Sequence, residues 1–307
     1  MWTILSGLFL GWSLGANDSA NVFGTGVTTG VIRYRTAIWL TAAFLMLGAI
    51  LEGAKCMEIV GELSQLLPMD AFFCALAAAL TMTALTFLRI PASTSQAIIG
   101  AVIGAGILSE SADFSKLYKV VSCWVFTPIC GLALGYLLHR GMGYVLVRTV
   151  KSLTRRNAFY SLGILAAGCY GAYTLGSNNV ANVTGVYVGS GLLTAEQAAL
   201  IGAFSIALGV LTYSKRVMMT IGKGIVPLDP FSAFVVVLAG ALTLHLFTQI
   251  GVPVSSSQAV VGAVVGVGFV GGVQTVSLGM VKKITVGWIM TPVSGGVLAY
   301  SFIKLLT

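Results

Sequence analysis

The sequence predicts an all-α polytopic membrane protein made of two inverted-topology repeats with broken or re-entrant helices. Three observations carry that reading. Of the 307 residues, 57% are hydrophobic and only 8% charged, against about 25% charged in soluble domains. A run of polar motifs is written twice along the chain, in the same order. The first apolar stretch of each copy is longer than one membrane crossing needs and carries Asn or Asp in its interior. The 38 glycines outnumber 7 prolines and are scattered through the apolar segments, a distribution that suits close helix packing or interrupted membrane helices rather than loops.

The duplication is visible by eye. GANDSANVFGTGVTTGVI from Gly15 returns as GSNNVANVTGVYVGSGLL from Gly176, a shift of 161 residues. IPASTSQAIIGAVIGAGI from Ile90 returns as VPVSSSQAVVGAVVGVGF from Val252, a shift of 162. CWVFTPICGLALGY from Cys123 returns as GWIMTPVSGGVLAY from Gly287, a shift of 164. These matches divide the chain into a first transmembrane repeat at 1–150, a basic cytoplasmic linker at 151–156 and a second, inverted transmembrane repeat at 157–307.

A crossing helix needs about 20 apolar residues. In the first repeat, apolar segments fall at 2–32, 36–51, 71–88, 90–109 and 117–138. In the second they fall at 158–193, 197–213, 231–249, 252–272 and 284–303. The segment that opens each repeat is best drawn as a broken helix, or a span plus a re-entrant piece, making one net crossing. The last segment of each repeat contains a Thr-Pro pair, Thr127-Pro128 and Thr291-Pro292, where a helix would kink. Trp124 and Trp288 precede those pairs at equivalent positions and read as packing or interface anchors.

Charges set the orientation of the halves. Arg33 and Arg35 align with Thr194 and Glu196, and the loop bearing Glu52, Lys55, Glu58 and Glu62 aligns with the one bearing Lys215, Arg216 and Lys223. Equivalent loops of opposite charge character imply opposite orientations in the bilayer, and five crossings per half produce that inversion. Arg140, Arg148, Lys151, Arg155 and Arg156 form a basic stretch without acidic residues. It reads as cytoplasmic, which places both termini outside. The net charge of +8 therefore reflects membrane topology, and no nucleic-acid partner is expected. Cys56, Cys74, Cys123, Cys130 and Cys169 show no metal-binding spacing and read as buried free thiols. The N-terminus lacks a basic region and a convincing cleavage site, so it reads as the first membrane segment.

Two polar motifs, each present twice, carry the chemistry. A carboxylate inside the membrane is costly and marks function, and Asp18 is the one charged residue before Arg33. Asn17 and Asn21 flank it, and Asn178, Asn179 and Asn182 stand at the equivalent positions. One carboxylate with several amide oxygens suits a small hard cation such as Na+; the alternative is that the amides tie helices together. The second motif is PASTSQ, Pro91 to Gln96, with its partner PVSSSQ, Pro253 to Gln258. Proline followed by hydroxyl residues opens a helix, and a helix start offers free N–H groups and partial positive charge to an anion. Ser93, Thr94, Ser95, Gln96, Ser255, Ser256, Ser257 and Gln258 are therefore the candidate oxyanion ligands. Plain N-capping is the alternative. A cation pocket beside such a cradle is what an ion-coupled oxyanion transporter needs, since the cation offsets the anion's charge.

At these residues the chain resembles a known family. GANDSANVFGTG and GSNNVANVTG resemble the duplicated signature of the PiT family of inorganic phosphate transporters, and PASTSQ and PVSSSQ are similar to that family's second duplicated motif. The resemblance covers essentially the whole chain. It implies symport of inorganic phosphate with Na+ or H+, no cofactor beyond the coupling ion, a cell-membrane location and a homodimer. It assigns the Asn/Asp motifs to sodium and the Ser/Thr/Gln helix starts to phosphate. The chain departs from the family pattern where the second copy reads GSNN. Family members often carry a glutamate after the second membrane segment of each half; Glu58 is the candidate for it, and Met219 stands at the equivalent place. A sulfate permease of the same wider family and an anion channel are the competing readings. An intramembrane hydrolase would need a base, and HExxH does not occur, so no enzyme activity is expected. His139 beside Arg140 reads as a helix-end residue, His245 as a hydrogen-bonded core histidine, and Glu52 and Glu58 as members of a solvated loop.

Overall fold

Backbone N–H and C=O groups in lipid must be satisfied within the segment that carries them, so apolar runs of this length fold as helices. The computed structural model describes residues 2–87, 92–221, 228–272 and 278–306, and every regular element among them is helical. After a 3-10 turn at Trp2–Ile4, the first half comprises α1 (Leu5–Asp18), α2 (Ala20–Thr28), α3 (Tyr34–Glu52), α4 (Ala54–Glu62), α5 (Pro68–Phe87), α6 (Thr94–Leu108) and α7 (Phe114–Thr149). The second half comprises α8 (Leu153–Gly189), α9 (Ala195–Ile221), α10 (Pro230–Gln249), α11 (Ser256–Val270) and α12 (Leu278–Leu306). Among the described residues, seven helices are long and apolar enough to cross a membrane: α3, α5, α7, α8, α9, α10 and α12. The chain is a multi-pass membrane protein. Helices α6 and α11 have 15 residues each and rise about 22 Å, too little to cross a core of about 30 Å alone.

The structure refines several expectations. The polar segment of the first half is interrupted, at Ser19 between α1 and α2. Its counterpart runs unbroken through the 37 residues of α8. Val180 stands where the first copy has Ser19, and its two methyls lie over Gly53 and Gly202, wedging α8 against its neighbours. The stretch after α3 is not a loop. Cys56, Met57 and Val60 of α4 are buried, and α4 packs on α8, while Glu58 and Glu62 face outward. The linker between the halves is only Val150–Ser152: Arg140 and Arg148 belong to α7, and Arg155 and Arg156 to α8. His139 consequently lies inside α7, where its Nε2 is 3.1 Å from Ser232 Oγ. Both α7 and α12 continue through their prolines, and the hydroxyls of Thr127 and Thr291 each donate to a carbonyl one turn back, at 2.6 Å.

Packing crosses between the halves. Helix α6 lies along α12 and α7 along α11, while α1 lies along α9 and α3 along α8. These contacts are reciprocal at the level of single residues. Gly100 lets α6 approach the Pro292 carbonyl, and Gly262 lets α11 approach the Pro128 carbonyl. Gly15 abuts Ile206 and Gly176 abuts Leu45; Gly48 abuts Tyr173 and Gly209 abuts Trp12. The second member of each pair is the first displaced by the motif shifts. A Cβ at any of these positions would clash with backbone, so close interhelix approach, rather than a need for unusual backbone angles, explains the abundance of glycine. The buried side chains sit on these crossing faces. Large apolar residues on the outer faces of α7 and α12, such as Val125, Phe126, Ile289 and Val293, are exposed, as lipid-facing surface should be.

Candidate ion and oxyanion site

The starts of α6 and α11 are built alike. Ser93 and Ser255 adopt extended backbone and cap their helices, accepting from the N–H groups of Gln96 at 3.4 Å and Gln258 at 3.2 Å. The two starts are strapped to each other. Ser95 Oγ donates to the Val254 carbonyl at 2.9 Å, and its counterpart Ser257 Oγ donates to the Ala92 carbonyl at 3.5 Å. The two helix starts therefore meet at one place. Ser93, Thr94, Ser95, Gln96, Ser255, Ser256 and Gln258 are all buried, and Ser257 is partly so. Pro91 lies outside the described residues.

The Asn/Asp motifs reach these helix starts from the opposite half. Asp18 Oδ2 accepts from Ser256 Oγ at 2.9 Å, and Asn21 Nδ2 donates to Ser256 Oγ at 3.3 Å. From the second copy, Asn182 Nδ2 donates to Ser95 Oγ at 2.8 Å and to Asn179 Oδ1 at 3.0 Å. Cation and oxyanion candidates thus share hydroxyls, Ser256 on one side and Ser95 on the other.

Two of the six candidate cation ligands sit differently. Asn178 is turned toward backbone: its Nδ2 donates to Thr248 Oγ1 at 3.1 Å and to the Val252 carbonyl at 3.2 Å, while its Oδ1 accepts from the Val254 N–H at 2.9 Å. Both amide protons are used, and Asn178 pins the extended lead-in to α11. Asn17 is half-buried and takes part in none of these bonds. Glu58 and Met219 are both exposed, so the paired position assigned to the family's glutamate lies on the surface. Thr248 and Cys56, which flank Asn178, belong to no motif and carried no sequence signal.

Buried polar atoms in folded proteins nearly always have partners. Twelve buried side-chain N or O atoms here have none among the described residues, and seven of them lie in or beside the four motifs: those of Ser19, Thr25, Thr94, Gln96, Asn179, Asn182 and Gln258. The set mixes donors, Thr94 Oγ1 and Asn179 Nδ2, with acceptors, Gln96 Oε1, Gln258 Oε1 and Asn182 Oδ1. Such a mixture suits a polar ligand having both kinds of atom. A cavity of about 10 Å³ also opens beside Asn21 and Ser256, roughly the room one water-sized particle needs. A much larger cleft, about 970 Å³, separates α6 and α12 from α7 and α11 and reaches Gln96, Gln258, Trp124 and Trp288. Its walls are otherwise almost wholly apolar, which fits contact with hydrocarbon.

Crossed helices enclosing a buried, partner-poor polar centre define a membrane transporter. The chain belongs to the phosphate transporter family, whose model matches residues 14–162 and 148–299. It is 28% identical to a protein of Methanocaldococcus jannaschii assigned as a phosphate permease, over 99% of this chain and 96% of that one. It is also 28% identical to the sulfate permease CysP of Bacillus subtilis, over 98% of this chain and 86% of that one. Among solved structures, a sodium-dependent phosphate transporter shares the fold, with a TM-score of 0.83 at 22% identity over 99% of this chain and 98% of the other.

Proposed function

We propose that the protein is a secondary active transporter that moves inorganic phosphate across the cell membrane by symport with Na+, H+ being the other candidate coupling ion. The carrying observation is the shared hydroxyl of Ser256. A hydroxyl has one proton to give, and Ser256 gives it to Asp18. A cation bound at Asp18, with the side-chain oxygens of Asn21 and Ser19 nearby, occupies the carboxylate lone pairs and frees that proton for an oxyanion at the start of α11. Cation binding thus prepares the anion site, and the helix N-termini of α6 and α11 supply further N–H groups and positive potential. Asn182 and Ser95 hold the other side of the cradle, with Asn179 completing the second copy of the cation motif.

Phosphate is favoured over sulfate by the acceptors without partners. Gln96 Oε1, Gln258 Oε1 and Asn182 Oδ1 can receive a hydrogen bond from a protonated phosphate oxygen, which sulfate at neutral pH does not offer. The reciprocal packing of α6 with α12 and α7 with α11 supports two inverted halves that rock about the shared centre, giving alternating access. In this reading the protein is a homodimer in the bilayer, with the α7–α8 connection cytoplasmic and both termini outside.

The test is uptake of labelled phosphate into proteoliposomes under an inward Na+ gradient, an inward H+ gradient or neither, with sulfate as competitor. Accumulation driven by one gradient and resistant to sulfate is expected. Uptake of sulfate alone would assign the other substrate, and rapid flux that neither saturates nor follows a cation gradient would make the protein a channel.

A further inference from the structure

We propose that Glu52 of α3 and His245 of α10 form a protonation-dependent latch that positions the α10–α11 turn. The inference rests on the reading above only in that this turn leads into the helix start assigned to the oxyanion. Glu52 closes α3 on the side where α10 ends. Its Oε1 accepts from Lys55 Nζ at 2.8 Å and from Gln249 Nε2 at 3.1 Å, and Lys55 Nζ also donates to Gln249 Oε1 at 2.8 Å. The other carboxylate oxygen stands 3.6 Å from His245 Nε2, and the Tyr173 hydroxyl also bonds to the Glu52 carboxylate. His245 Nδ1 is bonded to the Tyr170 hydroxyl at 2.8 Å.

The titratable and charged groups facing this pair are Lys55 and Cys56 from α4, and Tyr170 and Tyr173 from α8. Glu52 is the acidic member of the group, so a charge gained by His245 is drawn to it.

What the latch holds is the turn. His245, Thr248 and Gln249 lie on the last turns of α10. Gln249 is tied to Glu52 and Lys55, Thr248 to Asn178, and Asn178 to Val252 and Val254. Gly251, with φ +76°, passes beneath the Lys55 carbonyl. The repeat shift places Tyr213 where Glu52 stands, Thr83 where His245 stands and Trp12 where Tyr173 stands. At that other end Trp12 bonds to Thr212 and packs on Tyr213, so the ionisable device has no counterpart there.

The sign follows from charge. A protonated His245 attracts the Glu52 carboxylate and tightens the turn. A neutral one leaves a 3.6 Å separation that is too long for a hydrogen bond, and the turn loosens as pH rises.

Cys56 reports the state of the turn, because it is fully buried against Asn178 Nδ2 at 3.8 Å and becomes reachable only when the turn opens. The experiment measures maleimide labelling of Cys56 by peptide mass spectrometry in proteoliposomes without phosphate, at about pH 6 and about pH 8. Wild type, His245→Gln and Glu52→Gln are compared. The intrinsic rise of thiol reactivity with pH cancels in the ratio of His245→Gln to wild type; the Glu52 charge acts on Cys56 directly, so the ratio for Glu52→Gln carries that effect as well. That ratio is expected to be about two- to fivefold for both variants at the lower pH and to fall toward unity for His245→Gln at the higher. A ratio that does not change with pH would overturn the latch and leave His245 a packing residue. Because no substrate is present, neither result depends on whether phosphate is carried.

Discussion

Replacing Asn178 with Leu separates a structural pin from a cation ligand. Leucine approximates the size of asparagine but can neither accept from the Val254 N–H nor donate to the Val252 carbonyl. Both residues are fully buried, so water does not reach the groups left behind. An orphaned buried donor or acceptor costs about 1–3 kcal/mol, and two cost roughly 2–6 kcal/mol. Thr248 adds nothing to this loss, because its hydroxyl keeps the Leu244 carbonyl at 2.9 Å. For a chain of this size the destabilisation corresponds to a drop of roughly 5–15 °C in melting temperature, read from intrinsic fluorescence of detergent-solubilised protein with and without Na+. The same variant should weaken phosphate half-saturation, since the start of α11 is no longer held, while Na+ half-saturation moves little. An unchanged melting temperature together with a large rise in the Na+ requirement would refute the argument and return Asn178 to the cation shell.

Other substitutions probe the remaining joints. Asp18→Asn keeps an oxygen for Ser256 but removes the buried charge, and is expected to abolish the dependence of phosphate uptake on the cation gradient while leaving the protein folded. Thr94→Val removes a hydroxyl that has no partner; the melting temperature should hold or rise, and phosphate affinity should fall about tenfold, as one lost ligand hydrogen bond predicts. Gly100→Ala and Gly262→Ala each drive a Cβ into a carbonyl of the opposite half, so each should cost about 1–3 kcal/mol, and the two losses should match. Gly141→Ala in α7, with nothing within 4 Å, should be neutral or mildly stabilising in the same melts.

Most of the helix plan was legible because two signals reinforced each other. The apolar segments marked the spans, and the repeat let each half correct the other, so that α5, α6, α10 and α11 fall close to where the sequence puts them. Short-range chemistry was legible too: proline followed by hydroxyl residues marked the starts of α6 and α11, and the caps at Ser93 and Ser255 follow from it. What escaped notice depends on contacts distant in sequence. The role of Asn178 is set by Thr248, Val252 and Val254, some 70 residues away, and an asparagine's spacing does not say which way its amide turns. The wedge of Val180 between two glycines is equally invisible until α3 and α9 are placed beside it. Helix α4 was missed because its alternation of charged and apolar residues reads as a loop until α8 supplies the surface it covers.

The residues that break the repeat bear more directly on mechanism than those that keep it. Equivalent positions pair Asp18 with Asn179 and Ser256 with Thr94. One pair, joining the two halves, forms a hydrogen bond, Ser256 to Asp18; in the other, Thr94 Oγ1 and Asn179 Nδ2 are both without partners. A hydroxyl and an amide left bare in a buried centre are costly, and a carrier gains from that cost when substrate relieves it. The Asp18–Ser256 pair therefore has the charge a cation answers, and the Asn179–Thr94 pair has bare donors that an oxyanion answers. On the symport reading, ancestral duplication supplied two like half-sites and later substitution divided their labour. A variant restoring the match, Asn179→Asp, would put a second carboxylate opposite the first. It should raise the demand for cation and weaken phosphate binding in the same preparation, whereas two independent, equivalent half-sites would show a gain in one without the loss in the other.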